Sequence, residues 1–168
     1  AGEALLQAFG EYHEIRSFVF RFVSFVGERY THGVVFDFVK KLRADPGELE
    51  VLGDGRQRKS YLYVQDGLDA MMLALARSDG MKNVFNLGHT EDVNVLAVAD
   101  IVCDELGLSG VRYRTTGGSR GWKGDAPFVL LDTARVRGLG WRPSTTIEEG
   151  IRRTVRFLVA HPGLLSRA

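Results

Sequence analysis

The residues of this chain that could do chemistry gather in two stretches. One is the loop GGSRGWKGDAP, Gly117 to Pro127. A guanidinium such as that of Arg120 can fork two phosphate oxygens, and flanking glycines let the backbone come close to an anion. The other is the basic run Arg56-Gln57-Arg58-Lys59. Such a run either faces an anionic group or forms a solvated strand face. Gly118, Gly121 and Gly124 spell G-x-x-G-x-x-G. A dinucleotide loop must open a helix whose N-terminus faces the pyrophosphate. Here Pro127 and the apolar run Phe128 to Leu131 follow, so the string is a decoy.

Other chemistries are excluded or unsupported. His13, His32, His89 and His161 are scattered, and no pair has metal-ligand spacing, so no metal is expected. One cysteine forbids an intrachain disulfide and fits a reducing, cytoplasmic setting. Cys103 sits in an amphipathic pattern and is expected to be buried and inert. A formal net charge of +1 gives no global reason for nucleic acid or an anionic membrane as partner. No apolar run approaches the roughly 20 residues that span a bilayer. The first residues, AGEALLQAFGEYHE, lack the basic start of a secretory signal.

The elements that must position these residues read as alternating helices and strands, an α/β class. Leu5, Leu6 and Phe9 predict a helix over Gly2 to Tyr12. The run Ile15 to Val26 is dense in Phe and Val and predicts, in its first half, a strand buried on both faces. Val35, Phe38, Val39 and Leu42 predict a helix over Val34 to Ala44, stopped by Asp45-Pro46-Gly47. Strands are expected at Leu49 to Leu52, Lys59 to Val64, Val84 to Leu87 and Val111 to Arg114. Asp66 is expected to cap a helix over Gly67 to Arg77, and Asn94 one through Leu106. Asn86 is expected to bond a turn. Asp132 is expected to cap a short helix, and Thr146 with Glu149 to form a capping box for Ile147 to His161.

Four segments in order, RFVSFVGER, GDGRQRKSYLYVQD, GGSRGWKGDAP and LDTARVRGLGWRPSTTIEEGIRRTV, resemble the C-terminal half of extended short-chain dehydrogenases/reductases. Within these they are most similar to the NAD-dependent epimerase/dehydratase group acting on nucleotide sugars, in its UDP-glucose 4-epimerase-like branch. The resemblance covers nearly the whole chain. It implies the last strands of a Rossmann-type parallel sheet plus a small substrate-binding domain. It also implies a soluble enzyme of carbohydrate metabolism that holds NAD, mainly through an N-terminal half. The family's Tyr-x-x-x-Lys motif precedes an AGE-like helix, and this chain opens on Ala1-Gly2-Glu3. The resemblance therefore places the catalytic pair and the glycine motif upstream, and residues 1–168 as the substrate-binding portion.

The resemblance also implies site residues. Arg120 is the first candidate for a phosphate ligand, with Asp125 either accepting from a ribose or sugar hydroxyl or shaping a turn. Lys59 stands where the family carries a phosphate-binding Arg, and Ser24 where it carries an Asn. Glu50, Val51 and Leu52 match a segment along which the nucleotide base lies. Phe22 and Phe25 flank the nicotinamide through their backbone. Tyr61 is a strand residue beside the phosphate or plain core. Trp122 and Trp141 could each stack on a base, with Trp141 placed as a packing anchor. Arg120 is expected to matter more than Lys59, which has Arg56 and Arg58 beside it. The expected partners are a nucleotide sugar and, through the helix Gly2 to Tyr12, a second copy of the chain. The rival reading is a catalytically dead nucleotide-diphosphate-binding or dimerisation module. With the glycine motif and Tyr–Lys pair outside residues 1–168, the 168-residue chain alone is expected not to bind NAD with a Kd below about 10 μM, about 7 kcal/mol. Isothermal titration with NAD checks this.

Overall fold

The computed structural model describes residues 1–165. α1 (Gly2–Tyr12) leads into β1 (Ser17–Phe22) and, past Val23, β2 (Ser24–Val26). α2 (Val34–Ala44) precedes β3 (Glu48–Val51), β4 (Arg58–Lys59) and β5 (Tyr61–Tyr63). α3 (Val64–Arg77), β6 (Lys82–Leu87), β7 (Val93–Asn94), α4 (Val95–Glu105) and β8 (Arg112–Thr115) follow. β9 (Phe128–Val129), α5 (Ala134–Gly138) and α6 (Ile147–Ala160) complete the order, before a short 3-10 turn at Pro162–Leu164. The α/β class is thus as expected, and α1 and α2 have the expected limits.

Two segments change partners midway, and this makes the strands short. The chain from Ser17 pairs with β6 in parallel as far as Phe22. Past Val23 it crosses to β5, with Ser24 opposite Tyr61. The chain from Arg58 first runs between β7, antiparallel, and β9, parallel. It then crosses at Ser60 to pair with β2. Ser60 is fully buried, and its two donors serve different segments. Its amide donates to the Val129 carbonyl at 2.8 Å and its hydroxyl to the His89 carbonyl at 3.1 Å. The single strand expected over Lys59 to Val64 is therefore two strands in two sheets. β3 pairs in parallel with β8.

One apolar core lies between α2, α4, α6 and β3, with Phe38, Val39, Leu49, Val98, Val102 and Ile151 buried in it. A second gathers Leu62, Ala70, Phe85, Leu87, Val136 and Trp141. Trp141 is the packing anchor expected, and its indole N–H donates to the Asp66 carbonyl at 3.1 Å. Cys103 is buried as expected, beneath the Tyr113 hydroxyl at 3.6 Å. The Thr146 hydroxyl accepts from the Glu149 amide at 3.1 Å, and Asn94 accepts from Leu96 at 2.8 Å, so both residues cap; the Glu149 carboxylate pairs with Arg153 at 2.9 Å instead of closing the expected capping box. Thr133, not Asp132, holds the cap position of α5, although Asp132 one residue earlier accepts from the Ala134 amide at 2.8 Å.

Three further expectations are corrected. Asp66 is not an N-cap: α3 already begins at Val64, with Tyr63 in the cap position. Asn86, by contrast, lies on the expected strand, and its amide binds the loop as expected, donating to the Asp132 carbonyl at 2.9 Å. β7 and β9 were not expected, because two residues carry no periodicity. β1 is not covered on both faces. Its edge away from β6 has no strand partner among the described residues, and one face of the β1–β6 pair, with Val19, Arg21, Val84 and Asn86, lines an open groove of about 1010 Å³. Leu5, Phe9 and Tyr12 of α1 are exposed.

Asp66 instead clasps the chain ahead of α6. It is 3% exposed, and its carboxylate accepts from Ser144 N at 3.2 Å, Ser144 Oγ at 2.6 Å and Thr145 N at 3.0 Å. Hydrogen bonds to a charged group contribute roughly 1.5–3 kcal/mol each, and stranded buried donors add a desolvation cost. Asp66→Ala is therefore expected to cost about 3 kcal/mol or more, and Asp66→Asn clearly less. Urea unfolding of the two variants checks the order.

Candidate functional site

A cavity of about 340 Å³ opens where the start of β2, the end of β4, the first turn of α2 and the loop between β8 and β9 converge. Ser24 and Tyr61 meet there across the β2–β5 register. Tyr30, Val34, Asp37 and Phe38 supply the α2 side, and Leu52 with Gln57 the floor after β3. Gly121, Trp122 and Asp125 come from the loop. Gly53 permits the floor: its φ is +86°, and a Cβ there would sit 1.7 Å from Gln57 Nε2. The Gln57 amide thereby reaches the Leu52 carbonyl at 2.9 Å.

The Lys59 ammonium pairs with Asp125 Oδ1 and fastens the loop to β4. Asp125 Oδ2 accepts from the Gly121 amide at 3.0 Å, and the Asp125 amide donates to the Trp122 carbonyl at 3.0 Å. Burial pushes the Asp125 carboxyl up, but Lys59 and the Gly121 amide together outweigh it and hold it below the usual range. Burial pushes the Tyr30 phenol up to about 12. Burial also raises Tyr61, reinforced by Tyr30 and Asp125. Both tyrosines are therefore neutral phenols at physiological pH, able to donate a hydrogen bond but not to act as bases. Chemically the cavity is a binding wall: apolar and aromatic surface, a few oriented polar groups, and one ion pair.

Of the residues expected in a site, Ser24, Leu52, Lys59 and Asp125 share this wall. The others do not. Arg120 is exposed and outside it, and Trp122 is the loop side chain at the cavity. Glu50 sits in an ion-pair network, with Arg114 at 2.7 Å and Lys41 at 3.6 Å. Val51 is fully buried in the core. Phe22 and Phe25 pack on each other with ring centroids 5.0 Å apart, and Phe25 lies over Gly67, away from the cavity wall. Tyr30, Asp37, Phe38 and Gln57 were not expected in a site. The polar loop GERYTHG just before an amphipathic helix was the visible signal for Tyr30, Asp37 and Phe38, and the basic run Arg56 to Lys59 was that for Gln57.

A family model described as the NAD dependent epimerase/dehydratase family matches residues 1–88. The chain belongs to this family. It is 26% identical over 161 residues to a putative UDP-glucose 4-epimerase of Methanocaldococcus jannaschii, covering 94% of this chain and 50% of that protein. The crystal structure of a UDP-galactose 4-epimerase matches with a TM-score of 0.83 and 33% identity, over 96% of this chain and 51% of that one. A UDP-glucose 4-epimerase of Thermotoga maritima, solved with UDP-glucose, matches with a TM-score of 0.80 and 28% identity, over 95% and 51%. The chain thus spans about half the length of its relatives. Its fold is part of the Rossmann-type architecture of the family. No helix among the described residues is long and apolar enough to cross a membrane.

The Asp125 clasp predicts a pH signature. A carboxyl held below its unfolded value of about 3.9 adds stability that is complete above that pH and is lost as pH falls through the folded value. Asp125→Asn keeps an acceptor for Gly121 but removes the charge facing Lys59. The stability advantage of wild type over Asp125→Asn is expected to be constant above about pH 5 and to shrink below about pH 4. Urea unfolding across that range measures it.

Proposed function

We propose that residues 1–168 form the substrate-side wall of an NAD-dependent nucleotide-sugar epimerase/dehydratase, most like a UDP-sugar 4-epimerase. In this reading the NAD-binding half and the Tyr–Lys pair lie outside this chain. The observation that carries it is the convergence of Ser24, Leu52, Lys59 and Asp125, drawn from four separate stretches of sequence, on one cavity. Lys59 turns from Asp125 toward a phosphate oxygen when the diphosphate enters, and Asp125 is then free to accept from a ribose hydroxyl. Ser24 and the phenols of Tyr30 and Tyr61 are the neutral donors around the sugar. Leu52 is the member of the Glu50–Leu52 segment that meets the base. Phe22 and Phe25, beside the open β1 edge, face the nicotinamide side through their backbone. The exposed Leu5, Phe9 and Tyr12 support a homodimer through α1.

The geometry reverses the expected ranking of the two cations, because Lys59 is at the wall and Arg120 is not. In the full-length protein, Lys59→Ala is expected to raise KM for UDP-glucose about tenfold, each tenfold being about 1.4 kcal/mol. Arg120→Ala is expected to leave it within about twofold. Steady-state kinetics on both variants decides. The opposite ranking would place the phosphate on the loop and remove Lys59 from the site.

A further inference from the structure

Trp122 is 65% exposed, whereas Trp141 is 6% exposed. A large aromatic ring left in water at the rim of a cavity is costly unless it has an intermittent partner. Yet this ring is not loosely attached. Its carbonyl is bonded by the Asp125 amide, and Asp125 is clasped by Lys59 and Gly121. The six-membered ring of the indole lies against Gly124, where a Cβ would be 2.3 Å from it. Only glycine admits the ring there. The indole is thus seated on one side and open on the other.

The charges of the cavity point the same way. Among the described lining residues there is one cation, Lys59, against the carboxylates of Asp37 and Asp125. Lys59 is already paired, and Arg120 stands outside. Such a wall offers a diphosphate little net attraction. The floor adds an unpaired acceptor: Gln57 is 5% exposed, and its Oε1 has no donor among the described residues while its Nε2 is bonded to Leu52. A buried acceptor without a donor is uncommon, and a ligand N–H or O–H would satisfy it.

Resting on the reading proposed above, we infer that Trp122 is a binding and specificity residue whose open face stacks on the nucleobase. The cavity then holds its nucleotide more by stacking than by charge. Every base has a flat π face, and an indole is a broad, rigid platform for it.

The test uses the full-length protein and two probes, UDP, which carries a base, and inorganic pyrophosphate, which does not. Binding is followed by calorimetry and by tryptophan fluorescence. UDP is expected to quench the exposed Trp122 in the wild type. Trp122→Ala is expected to weaken UDP at least about tenfold, and Trp122→Phe, which keeps a smaller ring, no more than about threefold. Pyrophosphate is expected to bind alike in all three. Wild-type affinity for UDP is expected to change little between about 0.1 M and 1 M salt, where the screening length falls from about 10 Å to 3 Å. UDP bound equally by wild type and Trp122→Ala overturns the inference alone. A wild type that binds no UDP overturns both it and the nucleotide-sugar reading.

Discussion

One ion pair, Lys59 with Asp125, ties the end of β4 to the far end of a glycine-rich loop, and the cavity exists because of it. The loop has few other means of holding its place. Between Thr115 and Phe128 it forms no helix or strand, and its glycines resist neither bending nor swinging. Asp125 converts that freedom into one turn by taking Lys59 on one oxygen and the Gly121 amide on the other. The pair is asymmetric. Asp125 is buried, with its side chain 7% exposed, while the Lys59 side chain keeps 25%. Removing the cation therefore leaves a desolvated carboxylate, which is more damaging than removing both partners.

The rest of the fold serves to hold β4 still. Ser60 locks the point at which the chain passes from one sheet to the next, so Lys59 and Tyr61 sit on either side of a fixed corner. The parallel register of β2 and β5 puts Ser24 opposite Tyr61 without further help. Behind them, α2, α4 and α6 close one core and give α2 a rigid base from which Asp37 and Phe38 face the cavity, with Tyr30 in the loop just ahead of it. Asp66 ties the second core to the first by fixing the chain that leads into α6.

Much of this was legible in the sequence. Amphipathic spacing marks α1, α2 and α6, and Asn94, Thr146 and Asp132 act at helix starts as their types dictate. Four ordered segments were enough to indicate the family. What the sequence hid is non-local. Nothing near Ser60 announces that a strand changes partners there, since that depends on His89 and Val129 far along the chain. Asp66 has the local look of a cap, but its three donors lie at Ser144 and Thr145. The loop shows what spacing alone does not set. Arg120 has the more suggestive chemistry, but the register is set by Asp125 reaching Lys59, and that register turns Trp122 rather than Arg120 to the cavity.

The claim that the pair makes the cavity can be tested on the loop itself, by amide hydrogen exchange in wild type and in Lys59→Met, which keeps the stem and loses the charge. The account predicts faster exchange at the Gly121 and Asp125 amides, whose acceptors belong to the turn, with the α4 and α6 amides unchanged. Unchanged exchange at Gly121 and Asp125, or acceleration spread evenly over the whole chain, would contradict it.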